Sequence, residues 1–173
     1  KVRYKQVGVP LNRFETDPWE TIAEIGPKAA EQEEAIDGVC GDYNVGDTKT
    51  VDMGDLGVHT VRIANCSTPT ICSEGGFSQT ACGFVVEFAD IVTTYHMNSH
   101  SAYSDLESYP DGSGTSLQNG EGSKGGWKYS KMRAYLNGTT YAFENTDYSA
   151  NSFFSKLPSD LQSVIVPTFA VSG

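Results

Sequence analysis

The chain has 173 residues, 38% of them hydrophobic, and a formal net charge of −10. That length suits one domain with a real hydrophobic core, and no run of 18 apolar residues is present to cross a bilayer as a helix. The acidity argues against a nucleic-acid partner, which would need a basic face to neutralise phosphates.

The charge is unevenly spread. From Glu15 to Asp55 there are 12 acids against 2 bases, Lys28 and Lys49, whereas from Gly122 onward 5 bases face 3 acids. The bases around Trp127 are too sparse to make a basic patch, and the plain meaning of the acidity is solubility. No signal-peptide pattern opens the chain. Lys1 in place of an initiator Met leads us to expect a mature form or an excised piece, with room upstream for a lost leader or anchor.

Residues 1–16 alternate weakly and are expected to form an entering strand or a tether. Asp17-Pro18-Trp19-Glu20 is a helix start, with Asp17 suited to cap and Pro18 to the first helical position. Trp19, Ile22, Ala23 and Ile25 then supply a core-facing stripe. Pro27 is expected to interrupt this helix or mark a restart toward Ile36, and Gly38 and Gly41 to end the helical region. Thr48–Met53 and Val58–Ala64 alternate as a hairpin around Gly54-Asp55-Leu56-Gly57. Val51, Met53, Val61 and Ile63 are the candidates for its buried face. A loop follows from Asn65 to Cys82. Gly83–Phe88 is an apolar strand, and Ala89–Met97 is expected to continue as strand or short helix.

Asn98–Lys124 is poor in apolar residues and rich in Ser, Gly, Tyr and Asp, the composition of a long surface loop. Gly125-Gly126-Trp127 then introduces a short amphipathic helix. Met132, Tyr135 and Leu136 share one face of it at i, i+3, i+4 spacing, Trp127 anchors it, and Asn137-Gly138 closes it. Thr140–Asn151 reads as a polar excursion, Ser152–Lys156 as helical, and Leu157–Gln162 as a short helix from Pro158. Val164–Val171 is expected to end the chain as a strand bent at Pro167. The elements sum to a single α+β domain over 1–173, an antiparallel sheet with a few short helices and long loop insertions.

Four cysteines, Cys40, Cys66, Cys72 and Cys82, allow three pairings. None shows C-x-x-C spacing, so disulfides in an oxidising, extracellular or cell-surface location are expected. Asn65-Cys66-Ser67 and Asn137-Gly138-Thr139 match the glycosylation sequon. His96-x-x-x-His100 has zinc-compatible spacing but no glutamate after His96 and no third ligand. Gly76-Phe77-Ser78-Gln79-Thr80 lacks the second glycine of a hydrolase elbow. Asp105, Glu107, Asp111 and Glu121 do not follow the EF-hand spacing of a calcium loop. No metal, cofactor or catalytic residue is expected. Tyr103 and Tyr109, with Asp105 and Asp111 beside them, are the best candidates for ligand contact, because exposed aromatic rings present an apolar face and a polar tip. Trp19 and Trp127 read as core anchors.

Several segments occur in a telling order: Trp19-Glu20-Thr21-Ile22, Val45-Gly46-Asp47-Thr48-Lys49, Thr60-Val61-Arg62-Ile63, Met97-Asn98, Gly125 to Asn137, and Leu157-Pro158-Ser159-Asp160-Leu161 with Ile165. Over about Trp19 to Val171 the chain resembles the front part of a family of domains of unknown function from bacterial, largely Firmicute, surface and secreted proteins and some phage proteins. The combination Gly-Gly-Trp, Ser-x-Met-Arg and Tyr-Leu is its most specific mark; the cysteines between Asn65 and Cys82 are not a usual family feature. The loop-rich, Trp-containing pattern is also similar to C-type-lectin-like folds. The resemblance implies no catalytic residues. Together with the Asn98–Lys124 loop, the cysteines and the absent catalytic pattern, it leads us to expect a non-enzymatic binding or adhesion module of a surface protein, with a glycan or surface protein as partner. The alternative is a structural subunit of a fibre, pilus or phage particle contacting neighbouring subunits. A polysaccharide hydrolase is the distant third reading.

Overall fold

The computed structural model describes residues 12–31, 38–75, 82–97, 127, 130–141 and 144–167. They form an α+β fold with three antiparallel sheets: β1 (Val39–Cys40) with β2 (Tyr43–Asn44), β3 (Thr48–Asp52) with β4 (Val58–Ser67) and β5 (Gly83–Phe88), and β6 (Thr140–Tyr141) with β7 (Thr146–Asp147). The helices are α1 (Trp19–Ala30), α2 (Lys131–Asn137) and α3 (Ser159–Gln162). The chain divides into two compact units, 1–50 with 60–89 and 51–59 with 90–173. The division falls inside the β3–β4 hairpin, whose tip belongs to the second unit.

In the first unit α1 buries Trp19, Ile22, Gly26 and Ala30. The helix runs through Pro27, contrary to the interruption expected from sequence. Pro27 removes one donor, yet its own carbonyl still accepts from the Glu31 N–H at 3.1 Å, and the buried stripe on either side outweighs the lost bond. Asp17 does not cap the helix either. Its Oδ2 accepts from the Arg13 N–H (2.8 Å) and the Tyr43 hydroxyl (2.9 Å), so the cap position falls to Pro18 without a side-chain bond. Gly26 meets the ring of Phe84: a Cβ there would stand 2.5 Å from Phe84 Cγ, so only glycine lets helix and strand approach this closely. Phe14 packs edge-on against Trp19 and Tyr43, each at 5.9 Å between ring centroids. The cysteines pair as Cys40–Cys66 and Cys72–Cys82, with none free. By loop-closure entropy the first, closing 26 residues, contributes about 3–4 kcal/mol.

The hairpin follows its alternation. Val51, Met53, Val61 and Ile63 are buried, while its turn is a short 3-10 segment, Gly54–Leu56. β4 runs to Ser67, further than the alternation alone suggests, because β5 pairs with it as far as Ser67↔Gly83 across an irregularity between Ile63 and Asn65.

In the second unit α2 starts at Ser130, whose Oγ accepts from the Arg133 N–H at 3.0 Å, and stops at Gly138 in the left-handed region (φ 66°). Ala134 is its fully buried residue, while Met132, Tyr135 and Leu136 are half-buried, as is Trp127. Three expectations are corrected. Residues 91–97 are irregular rather than strand or helix, although the Met97 carbonyl accepts from the Met132 N–H. The polar excursion after α2 contains the β6–β7 ribbon, in which Tyr141 is buried and the Tyr148 N–H donates to Thr139 O. Phe154–Lys156 is a 3-10 turn and α3 starts after Pro158. Residues 164–167 form no strand, and the rest of that expected strand lies outside the described residues.

Candidate functional site

The first unit carries an open polar groove of about 610 Å³, lined chiefly by Asn12, Arg13, Glu15, Asp42, Asn44 and Asp47. One wall is the turn before α1. The Asp17 carboxylate holds it from within through Arg13 N–H and Tyr43 Oη. Lys49 holds it from outside, with Nζ donating to the carbonyls of Glu15 (3.1 Å) and Asp17 (2.9 Å) and lying 5.5 Å from the centre of the Trp19 ring. Burial, reinforced by the bond to Asp17, pushes the Tyr43 hydroxyl well above the ordinary tyrosine range, so it keeps its proton further into alkaline pH than an exposed tyrosine does.

The other wall is the β1–β2 ribbon and the turn after it. Strands of two residues cannot stand alone. This pair is fixed by the Cys40–Cys66 disulfide, by the Val45 N–H to Gly38 O bond, and by Gly46 N–H to Ile63 O and Ile63 N–H to Asp47 O. The Asp47 carboxylate also accepts from the Asn44 N–H at 2.8 Å. Asn12 Nδ2 donates to Asp42 Oδ2 at 2.8 Å and joins the two walls. The groove is therefore rigid backbone carrying exposed polar side chains, the Arg13 guanidinium and the Glu15 and Asp42 carboxylates among them. Such a surface presents donors and acceptors to a hydroxyl-rich or peptide ligand at little ordering cost.

The second unit holds a tyrosine cluster. Tyr95 stacks on Tyr135 at 4.0 Å and 12°, and its hydroxyl is 2.7 Å from that of Tyr148, which stands edge-on to both rings. Burial raises the Tyr148 and Tyr135 hydroxyls above their ordinary range. Beside them Lys131 Nζ donates to Glu144 Oε2 at 2.6 Å, which holds the ammonium above its usual range, and it lies 5.8 Å from the Tyr141 ring centre. Tyr95 and Tyr135 spend a ring face on each other and Tyr95 and Tyr148 their hydroxyls, so these contacts read as packing.

The ligand candidates Tyr103, Tyr109, Asp105 and Asp111 lie outside the described residues, as do His100 and the segment from Gly76 to Thr80. Trp19 is 5% exposed and in the core. His59 is tied to its hairpin, with Nε2 2.8 Å from Leu56 O and Nδ1 3.5 Å from Asp90. Among the described residues no three His, Cys, Asp or Glu side chains gather as a metal site, and no helix is long and apolar enough to cross a membrane. Sequence reasoning did not single out the groove. Its traces were the acidic run and the glycines at 38, 41 and 46, all of which have positive φ. No model of a known protein family, no curated protein and no solved structure matches the chain.

Proposed function

We propose that the chain is a non-enzymatic binding or adhesion module of an extracellular, surface-attached bacterial protein, and that the groove of the first unit is its contact surface for a glycan or a surface protein. The observation that carries this reading is the pairing of all four cysteines, with one disulfide clamping a groove wall. Disulfides persist in oxidising compartments, and a clamped polar wall lowers the entropy lost on binding. The resemblance to bacterial surface domains points the same way.

The test is binding to immobilised glycans and surface-protein fragments, beside turnover assays on the same polysaccharides. A ligand held by the wild-type protein and weakened about tenfold by Arg13→Ala or Asp42→Ala, each removing a charge-assisted hydrogen bond, supports the proposal. Turnover without retained binding sinks it, as does binding that neither substitution alters.

A further inference from the structure

We propose that β5 is a self-association edge, through which two copies of the chain join in one continuous antiparallel sheet. β5 is the last strand of its sheet among the described residues. The direction of its backbone groups follows from the bonds of its neighbour. Ile63 N–H and C=O bond to Asp47 and Gly46, away from β5, while Thr60 C=O accepts from Ala89 N–H on the β5 side. With Ile63 opposite Val86 and Arg62 opposite Glu87, antiparallel alternation turns the N–H and C=O of Val86 outward. Phe84, two residues away on an unbulged strand, turns the same way.

Natural edge strands are blunted by lysine, proline, a bulge or an inward charge. Gly83–Phe88 has no lysine or proline, and its half-buried apolar residues alternate only with Glu87. That carboxylate is neutralised by Arg62, with Nε at 2.8 Å and Nη2 at 2.6 Å. The edge is thus apolar and nearly uncharged on a strongly acidic chain.

The occupant is read from the segment itself. Phe84-Val85-Val86-Glu87-Phe88 is nearly palindromic about Val86. A two-fold axis there pairs Val86 with its own copy, Phe84 with Phe88 of the second copy, and Val85 with Glu87 of the second copy. Such an isologous contact uses both edges and closes at two, so it gives a bivalent module rather than a fibre.

The experiment is analytical ultracentrifugation of the whole chain over roughly 1 µM to 1 mM, with amide exchange at Val86. A reversible dimer is expected, tighter at higher salt because the net negative charges repel. Val86→Pro removes a donor that β4 does not use and weakens it about tenfold or more. Val85→Asp faces Glu87 across the axis and weakens it about threefold, while Val85→Lys tightens it by a similar factor. If circular dichroism shows Val86→Pro unfolded, the Val85 pair decides the matter. A monomer throughout overturns the proposal, and so does a dimer on which Val85→Asp and Val85→Lys act alike. Protection of the Val86 amide in a monomer also overturns it, by showing the edge covered within one chain.

Discussion

Both disulfides lie in the first unit, and the second has no cysteine. The first sets a helix directly on a strand, through Gly26 against Phe84, and fixes a minimal ribbon by a covalent link. The second closes its fold with tyrosines that stack and bond to one another, a serine cap and a left-handed glycine. The comparison separates two ways of stabilising short elements. A cross-link acts mainly by removing freedom from the unfolded chain. Aromatic packing and caps act in the folded state and respond to single atoms and to protonation.

The largest expected effect removes packing that the cross-links do not replace. Phe14→Ala should cost about 3–5 kcal/mol, read as a lower urea midpoint, because the ring fills the space between Trp19 and Tyr43. Removing the Cys40–Cys66 link by replacing both residues with alanine should cost about 3 kcal/mol. It should speed amide exchange in β1, β2 and β4 before α2. Equal acceleration in α2 would break the distinction between the units.

Smaller effects sharpen the second half of the comparison. Tyr148→Phe deletes the hydroxyl bonded to Tyr95 and should cost about 1 kcal/mol, with faster exchange around β6–β7 and an unchanged β1–β2 ribbon. Ser130→Ala removes the α2 cap and should also cost about 1 kcal/mol, mostly recovered by Ser130→Asp. Acid should have the slightest effect. Ser149 N–H and Oγ bond the exposed Asp147 carboxylate and hold it below its ordinary value of 3.8. A group lowered on folding stabilises fully above its unfolded pKa and loses that contribution as pH falls through the folded value. The turn that follows β7, Asp147 to Ser149, should therefore loosen only below about pH 4, and Asp147→Asn should remove that small pH dependence. At the alkaline end the signs reverse. The raised hydroxyls of Tyr43 and Tyr148 favour folding fully below the ordinary tyrosine pKa of 10.0. That support is lost as pH rises above it, so tyrosinate absorbance from these two should develop only with unfolding.

The elements with their own local logic were legible in the sequence. The hairpin alternation placed Val51, Met53, Val61 and Ile63 inward, and all four are buried. The apolar run Gly83–Phe88 is a strand, Gly138 stops α2, and the Pro158 segment is a short helix. Period and turn chemistry act between neighbours, so they survive without knowledge of the fold. Tertiary structure alone decided which cysteine meets which, why Asp17 serves Tyr43 rather than the helix start, and why α1 continues through Pro27. It also decided that Asn12 and Asp42 meet across a groove. Cys40 and Cys66 are separated by 26 residues, as are Asp17 and Tyr43. Groups so far apart meet only after the sheet and helix have closed the intervening chain, and local sequence carries no record of that closure.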